Sequence, residues 1–429
     1  MYRRCQVTLY SDIVVCGGGP AGIMAAIRAA RSGCSVTIIE HFGFFGGAAT
    51  ACLVVPISGF FKNGERVVGG LPWEFITELI TLNAARAEMP KGHISVDPEY
   101  YKLVAQRMVL KEQITPLMNS TLVSAQIENG CLTSVDIVNK SGIQTVTGRV
   151  FIDATGDGDL CALADVPMKI SDVPQPLSLC FELTGVDVST SLLRDSIRHN
   201  GFNGTPSCNM TIRRFLEERH QSGDGPLFGG PWFNTLMNGD RLAVNMTRNA
   251  ASVLDPMEYS RAEFEMREDM FALVQMLRQT YPEFANCVIS SSAVSAGVRE
   301  GRHLVGQYEL TGDDVLNAVP FSDSITRCAH IIDIHKARQT SQAIETPAQA
   351  GYVPYRSMIT DSCRNLIGAG RLISADSRAH ASLRVQGTCM ATGQAAGIAA
   401  ALALKKNTNV HAIDITELRS KLQSLGGIC

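Results

Sequence analysis

The 429-residue chain lacks the features that mark several classes of protein. It has no run of five or more like charges, and 38 Lys and Arg nearly balance 41 Asp and Glu, for a formal net charge of −3. A nucleic acid or an anionic membrane surface is therefore not expected as a partner. No apolar run approaches the roughly 20 residues that a membrane span needs, so no span is expected and the predicted location is the cytoplasm.

The cysteine pattern excludes further classes. The chain has 13 cysteines, and no two of them have the C-x-x-C spacing. This argues against a zinc site, an iron–sulfur cluster or a redox-active dithiol, and is typical of buried thiols in a reducing compartment. His330, Asp333 and His335 are loosely spaced and lack a fourth ligand, so no metal site is predicted.

The strongest positive signal lies in residues 13–40. An apolar, β-rich run at 13–16 leads into Gly17-x-Gly19-x-x-Gly22, an Ala-rich helix and a second β-rich run at 35–39 that ends in Glu40. In this order the glycines allow a tight turn, close approach of a pyrophosphate and close packing of helix on strand. Glu40 lies where a carboxylate accepts hydrogen bonds from ribose hydroxyls and repels the 2′-phosphate of NADP. These residues predict a dinucleotide site.

Later segments favour FAD over NAD. A second small-residue loop, GFFGGAAT, occupies residues 43–50. Asp97 and Pro98 predict a helix through about Glu112. β-rich stretches follow at 120–127, 131–139 and 144–152, with hairpin turns predicted at Asn129-Gly130 and Ser141-Gly142. The last stretch ends in FIDATGDGDL, and the C-terminal part carries NLIGAGR and then RVQGTCMATG, which predicts a helix entered at about Thr388.

With these motifs the chain resembles the FAD-dependent oxidoreductases of the glutathione-reductase-like fold, which are related to the succinate dehydrogenase and fumarate reductase flavoproteins. The resemblance implies an α/β chain with a Rossmann-like FAD-binding domain and an inserted α+β cap that holds the substrate. We expect the FAD-binding domain to comprise residues 1–173 and 351–429, and the cap to comprise residues 174–350. Within the cap, helices are predicted near 189–200, 208–222, 257–280 and 284–309.

The resemblance also assigns the residues that would bind FAD. They come from the three glycine-rich loops, one strand residue whose backbone would touch adenine, and the C-terminal loop and helix: Gly17, Gly19, Pro20, Ala21, Gly22, Glu40, Gly46, Gly47, Ala48, Thr50, Val123, Ala154, Thr155, Gly156, Asp157, Gly370, Arg371, Gly387, Thr388 and Cys389. The N-terminus of the last helix would stabilise negative charge on the reduced flavin.

The chain departs from its relatives in three ways. It lacks the C-x-x-x-x-C pair of disulfide reductases, their second GxGxxG motif for NAD(P)H, and the Gly-Asp motif of flavin hydroxylases, since Arg371 follows Gly370. A dedicated nicotinamide domain is therefore not expected, and the electron acceptor or donor stays unidentified. Cys52 offers a covalent attachment point for the flavin, against the expectation of non-covalent binding.

Four polar residues are the catalytic candidates: His335, Arg356, His380 and Arg384. Asp333 to His335, like Val298-Arg299-Glu300, resembles stretches that recur in this family, and the other three lie on C-terminal loops that would line the flavin. A histidine could remove a proton as a hydride moves to flavin N5, and an arginine could bind a carboxylate or polarise a carbonyl. The alternative is that each is a structural or surface residue.

The sequence thus predicts an FAD-dependent oxidoreductase that moves a hydride between flavin N5 and a small polar organic substrate held between the two domains. Two alternatives stay open: a flavoprotein electron-transfer subunit that works with a protein partner, and an NAD-linked dehydrogenase. The expected partners are the substrate and an electron acceptor or donor, and homo-oligomer formation is left open.

Overall fold

The computed structural model describes residues 4–87, 93–193, 209–237 and 240–429. Within them the helices are α1 (Pro20–Ala30), α2 (Leu71–Thr81), α3 (Pro98–Lys111), α4 (Asp159–Leu163), α5 (Met210–Gln221), α6 (Pro256–Thr280), α7 (Gly312–Leu316), α8 (Ser377–Leu383), α9 (Gln386–Lys406) and α10 (Ile415–Ser424). The strands of the N-terminal part are β1 (Arg4–Cys16), β2 (Val36–Ile39), β3 (Pro56–Ile57), β4 (Phe61–Lys62), β5 (Glu65–Arg66), β6 (Ala85–Ala87), β7 (Ile94–Val96), β8 (Thr115–Leu117), β9 (Thr121–Glu128), β10 (Cys131–Asn139), β11 (Gly142–Asp153) and β12 (Met168–Ile170). The remaining strands are β13 (Phe181–Thr184), β14 (Phe228–Thr235), β15 (Leu242–Thr247), β16 (Val288–Ser292), β17 (Arg302–Leu304), β18 (Ser324–Cys328), β19 (Ile332–His335), β20 (Gln342–Glu345), β21 (Gly351–Pro354) and β22 (Leu366–Gly368).

A seven-stranded sheet organises the dinucleotide-binding part, with the order β8-β2-β1-β11-β10-β9 and β22 paired to β11. Strands β8, β2, β1, β11 and β22 run parallel to one another. Ile13 to Cys16 in β1 are completely buried, as expected where helices cover both faces of a parallel sheet. The predicted fold class is confirmed.

Strand β11 pairs with its neighbours in two orientations. Its first half pairs antiparallel with β10, from Gly142 opposite Asn139 to Thr147 opposite Ser134, while its end at Phe151 to Asp153 pairs parallel with β22. The β9–β10 turn has φ of 51° at Asn129 and 72° at Gly130, which confirms the predicted hairpin. The chain thus reaches Asp153 and the loop after it at the carboxyl edge of the parallel strands, where ligands bind in such sheets.

Helix α9 packs very closely on α1. A Cβ added at Gly393 would lie 2.0 Å from the carbonyl oxygen of Ala21, and one at Gly397 would lie 2.4 Å from that of Ala25, so no larger residue fits. Contrary to the predicted absence of a long apolar run, this helix of 21 residues is apolar enough to cross a membrane, but 94% of its apolar window is buried inside the protein. Its small residues contact neighbouring elements on every side, which explains its apolar composition. Helix α9 is therefore a core helix of the fold.

The predicted cap contains a separate sheet and core. Its sheet is antiparallel in the order β14-β15-β13-β16, and Phe181, Phe233 and Leu273 belong to its hydrophobic cluster. Helices α5 and α6 confirm two predicted helices, but the helix predicted at 284–309 is wrong. The β-branched and serine residues of β16 pair with β13 instead, because Val288 to Ser292 complete an open sheet edge. The helix predicted at 189–200 lies mostly outside the described residues, and the cap limits stay a prediction.

Candidate functional site

A cavity of about 890 Å³ lies between the parallel sheet and the cap. We call one side the nucleotide wall, formed by residues 17–21, 39–42, 47–48, 120–122 and 154–157. The other side is the cap wall, formed by Trp232, Asn245, Arg299, Asp333, His335 and Arg384 together with their neighbours. The volume is within the range of about 300–1,000 Å³ that small-molecule and cofactor sites occupy.

The β1–α1 turn forms the centre of the nucleotide wall. Gly17 has a φ of 98°, and an added Cβ would lie 2.4 Å from the carbonyl oxygen of Ala154. A Cβ at Gly22 would lie 1.8 Å from the carbonyl oxygen of Gly17, whereas one at Gly19 would meet no protein atom within 4 Å. Gly19 also precedes α1 without any side-chain cap. The turn is therefore a tight backbone cradle whose open side faces the cavity at a helix N-terminus, where a phosphate is stabilised.

Glu40 is held rigidly beside that cradle. Its side chain is 4% exposed; Oε2 accepts a hydrogen bond from the Gly18 backbone N–H at 2.7 Å, and Oε1 accepts one from the Phe42 N–H at 2.8 Å. His41 Nδ1 also lies 3.1 Å from Oε1, whereas Oε2 keeps a lone pair for a further donor. This arrangement suits a ribose hydroxyl.

Asp153 organises the loop at residues 154–158. Its Oδ1 accepts from the backbone N–H and the hydroxyl of Thr155, at 3.0 and 2.7 Å, and its Oδ2 accepts from the Cys161 N–H at 2.9 Å. Asp157 in this loop pairs with Arg371 at 2.5 Å. The ion pair closes the floor of the cavity and joins the loop to the segment after β22.

Most of the predicted cofactor residues line this one cavity: Gly17, Gly19, Pro20, Ala21, Glu40, Gly47, Ala48, Ala154, Thr155, Gly156, Asp157, Gly370, Arg371 and Cys389. The remaining six lie outside its lining: Gly22, Gly46, Thr50, Val123, Gly387 and Thr388. Two of these have clear packing roles, since Gly387 approaches the Ser58 carbonyl and the Thr50 hydroxyl donates to the Phe45 carbonyl at 2.9 Å. Thr121 and Leu122, rather than the 40% exposed Val123, line the cavity.

On the cap wall, His335 lies in a hydrogen-bonded chain. Arg248 Nη2 donates to His335 Nδ1 at 3.0 Å, and His335 Nε2 lies 3.0 Å from Asp333 Oδ2. Burial and the nearby Arg299 lower the pKa of His335 to about 3, so the ring is neutral and carries its proton on Nε2. Both ring nitrogens are engaged, and this arrangement leaves His335 no site at which to accept a proton.

The cap wall carries three charged groups, Arg299, Arg384 and Asp333, and two of their buried atoms lack a hydrogen-bond partner. Arg384 Nη2 donates to the Asp333 carbonyl at 2.9 Å, but Arg384 Nε and Asp333 Oδ1 are buried and have no hydrogen-bond partner. Arg299 Nη1 donates to the Pro176 carbonyl at 2.6 Å and to Ser178 Oγ at 2.8 Å. Burial, with repulsion from Arg384, lowers the pKa of Arg299 to about 9.

The ionisation of Asp333 follows from its neighbours. Burial alone would raise the pKa of Asp333, but His335 and Arg384 hold it well below its ordinary value. Arg248 does not line the cavity itself, and Glu300 also acts on Arg384, so three guanidinium groups lie near two carboxylates and a neutral imidazole. The cap wall carries excess positive charge, which an anionic ligand would balance.

Ser58 and His93 line the cavity but were not predicted from the sequence, and His330, which also lines it, was considered there only as a metal ligand. Ser58 Oγ is hydrogen bonded to His93 Nδ1, and the two imidazole centroids lie 6.3 Å apart. Although both rings reach the cavity, the surrounding protein lowers the pKa of His93 to about 4 and that of His330 to about 3. No motif or periodicity marks these residues, because they come from loops that only the fold brings together.

The structure places two of the four catalytic candidates outside the cavity lining. The Arg356 side chain is 45% exposed and its Nε pairs with Asp323 Oδ2 at 3.0 Å. His380 is 1% exposed and faces His303, with ring centroids 4.3 Å apart. Arg356 satisfies its charge locally at a turn on the surface, while the first turn of α8 directs His380 into the protein interior.

Cys52 lines the cavity, as a covalent attachment point requires. Burial raises the pKa of its thiol to about 11, so the thiolate that would attack a flavin is scarce at neutral pH. The cysteines whose side chains the structure describes, from Cys16 to Cys429, are free thiols. The geometry gives no support to covalent attachment.

The residues present fit FAD. The open cradle at Gly19, the fixed carboxylate of Glu40 and the α1 N-terminus provide for the adenosine and pyrophosphate portion. The cavity continues past Gly47 and Ala48 to Arg371 and Cys389, which gives room beyond a single nucleotide. The Arg371–Asp157 pair and the small residues leave that continuation unobstructed.

Comparison with known proteins agrees with this fit. The family described as FAD dependent oxidoreductase matches residues 12–422. The thiamine thiazole synthase of Aeropyrum pernix is 37% identical over 62 residues, which cover 14% of this chain and 21% of that protein. The aligned segment thus spans only about a fifth of that curated relative's length.

Solved structures resemble the fold at low sequence identity. A geranylgeranyl bacteriochlorophyll reductase-like protein from Thermoplasma acidophilum is 14% identical, with a TM-score of 0.49 over 98% of this chain and 83% of that one. The anhydrotetracycline hydroxylase OxyS from Streptomyces rimosus is 11% identical, with a TM-score of 0.46 over 97% of this chain and 65% of that one. Because the family match covers nearly the whole length, the chain belongs to the FAD-dependent oxidoreductase family and is an enzyme whose cofactor is FAD.

Proposed function

We propose that the enzyme oxidises or reduces a small organic acid at the cap wall, with FAD supplying the hydride acceptor or donor at flavin N5. The observation that carries this proposal is the pair of buried, unpartnered groups on the cap wall, Arg384 Nε and Asp333 Oδ1. A buried guanidinium donor and a buried carboxylate oxygen both require partners. Both side chains line the cavity, so small rotations would bring these atoms within reach of a ligand that carries a carboxylate beside a hydroxyl or amino group.

Arg384 and Arg299 bind the substrate carboxylate in this proposal. Both guanidinium groups line the cavity, and each anchors one nitrogen to the protein, Arg384 at the Asp333 carbonyl and Arg299 at the Pro176 carbonyl. The anchored groups need little reorganisation to receive an anion. Asp333 Oδ1 then accepts a hydrogen bond from the substrate's hydroxyl or ammonium group, which orients the carbon that reacts.

Ser58 and His93 move the proton. Ser58 Oγ takes the proton of the substrate's hydroxyl or amino group while its own proton passes to His93 Nδ1, with which it is already hydrogen bonded. Because burial lowers the pKa of His93 to about 4, the ring is neutral and able to accept at neutral pH. This assignment replaces His335, whose nitrogens are both engaged.

Anaerobic reduction of the bound flavin tests the proposal. We would mix the oxidised enzyme with 2-hydroxy acids and amino acids, and in parallel with their neutral amides, and record bleaching of the visible flavin absorbance. We would also mix the reduced enzyme with α,β-unsaturated acids and follow reoxidation. Reaction with acids and not with the matched amides is the expected result, whereas reaction with neutral sugars or amides alone would contradict the proposal.

The position of the charged groups inside the cavity favours a small molecule over a protein as the reacting partner. Trp232 and Asn245 from the cap sheet line the cavity together with Arg299 and Asp333. A protein redox centre would instead need the flavin close to an open surface. With FAD as the cofactor, the NAD-linked dehydrogenase hypothesis is set aside.

A further inference from the structure

Glu300, His303 and His380 form a buried cluster that does not line the cavity. Their exposed fractions are 2%, 3% and 1%, and one ligand atom from each lies within 4.8 Å of the others. Glu300 lies just before β17, His303 lies in β17 and His380 lies in α8, so the tertiary fold assembles the cluster. Two imidazoles and a carboxylate are a donor set that divalent transition metals prefer.

The cluster contains polar atoms without partners. Neither Nδ1 nor Nε2 of His303 has a hydrogen bond, and Nδ1 of His380 has none. His303 Nε2 lies 3.4 Å from Glu300 Oε1, but the two groups are not oriented for a hydrogen bond, and the pair is an ion contact only if the ring is protonated. Buried imidazole nitrogens are rarely left in this state, so a partner for them is missing.

Glu300 is held in place as a ligand requires. Its Oε1 accepts hydrogen bonds from Ser171 Oγ at 2.5 Å and Ser377 Oγ at 3.2 Å, and its Oε2 accepts from the Gln175 N–H at 3.0 Å. Such outer hydrogen bonds orient a ligating carboxylate. They come from segments on either side of the cluster, so the carboxylate cannot turn away from the two rings.

We propose that Glu300, His303 and His380 bind a structural divalent transition-metal cation, for which Zn²⁺ is the first probe. Donors at about 2.1 Å from a tetrahedral cation lie about 3.4 Å from one another, so the three side chains need only small rotations to close on it. The cation satisfies His303 and His380 and balances Glu300. It also ties the loop at Glu300 to α8, and these segments carry Arg299 and Arg384 of the cap wall.

Metal analysis of the holoenzyme is the test. Untagged, FAD-loaded protein would be expressed separately in media supplemented with zinc, manganese or iron, dialysed and analysed by inductively coupled plasma mass spectrometry. We expect about one equivalent of one metal per chain. E300Q and H303Q should lose it, whereas H411Q should keep it, because His411 also has an unpartnered buried nitrogen but lies outside the cluster.

A measurement on the unsubstituted protein covers the case in which E300Q and H303Q fail to fold. Anomalous scattering from crystals of the zinc- or cobalt-grown protein should place one peak between Glu300, His303 and His380. The proposal is overturned if the unsubstituted protein contains no metal from any of the media, if E300Q and H303Q retain it, or if the peak lies elsewhere. Loss of metal need not affect flavin content, so this outcome is distinguishable from failure of the proposed activity.

Discussion

The two walls of the cavity are built in different ways. The nucleotide wall consists mainly of backbone from short runs around Gly17, Glu40 and Asp157, held by glycine geometry and by hydrogen bonds between near neighbours in space. The cap wall consists of charged side chains such as Arg299 and Arg384 that lie far apart in the chain. One wall is shaped for the cofactor, and the other offers charge to the substrate. Substitutions on the two walls should therefore fail differently.

The largest effect is expected from Gly19→Val. An added side chain meets no protein atom within 4 Å of its Cβ, so it extends into the space where the pyrophosphate is expected. We expect a folded protein that purifies without flavin, measured by visible absorbance and by the far-ultraviolet circular dichroism spectrum.

Gly43→Val is the matched control for this substitution. Gly43 is exposed, lies outside the cavity lining, and its added Cβ would have only the Asn119 side chain at 3.6 Å. It should retain flavin. Full flavin content in the Gly19→Val protein would show that the cradle is not the cofactor site.

A smaller effect is expected from Arg384→Gln on the cap wall. Loss of one charged hydrogen-bond donor costs about 1.5–3 kcal/mol, or roughly 10- to 100-fold in affinity for a carboxylate ligand. Flavin content should not change. Affinity is measured from the perturbation of the flavin spectrum on titration with an unreactive acid.

Arg356→Gln is the matched arginine control, because its guanidinium pairs with Asp323 outside the cavity lining. It should leave acid binding unchanged. If Arg356→Gln weakens acid binding as much as Arg384→Gln does, the cap wall is wrongly placed.

The difference between the two walls also explains which features of the molecule could be predicted from the sequence. The β1–α1 turn, the Asp97 cap of α3 and the Asn129-Gly130 hairpin are each formed by residues close together in the sequence. Glu40 follows the turn at the spacing that a βαβ unit requires, so its position is informative too. The helix predicted at 284–309 failed because β16 is stabilised by pairing with β13, about a hundred residues earlier in the chain.

The candidate substrate residues follow the same rule. Arg384 and His335 were found through resemblance, but that signal does not separate a cavity residue from Arg356, which pairs with Asp323 near the surface. Ser58 and His93 carry no local pattern at all, since their significance arises only from the hydrogen bond between them. Whether each of these residues reaches the cavity depends on the orientation of its side chain in the tertiary fold.

The pH dependence of acid binding sharpens the assignment of the cap wall. The pKa of Arg299 is lowered to about 9, so its guanidinium is charged below pH 9 and neutral above it. Affinity for a carboxylate should therefore be constant near neutrality and fall by about tenfold per pH unit above 9. Spectral titrations between neutral pH and pH 11 measure this affinity. A neutral amide analogue should show no such fall. A constant affinity up to pH 11 would show that loss of charge on Arg299 does not set acid binding in this range.

The smallest effect is expected from Gly130→Ala, in the β9–β10 hairpin away from both walls. Gly130 has a φ of 72°, and an added Cβ would be 3.5 Å from Arg364, an ordinary contact, so the cost comes from the backbone conformation alone. We expect the free energy of unfolding to fall by about 1–2 kcal/mol, measured by urea denaturation. Gly43→Ala, at a residue without a positive φ, should cost less than this. Flavin content and acid affinity should be the same in both variants, because neither the cradle nor the charged side chains depend on the β9–β10 turn. A loss of flavin in Gly130→Ala alone would mean that the hairpin positions the nucleotide wall as well as stabilising the sheet.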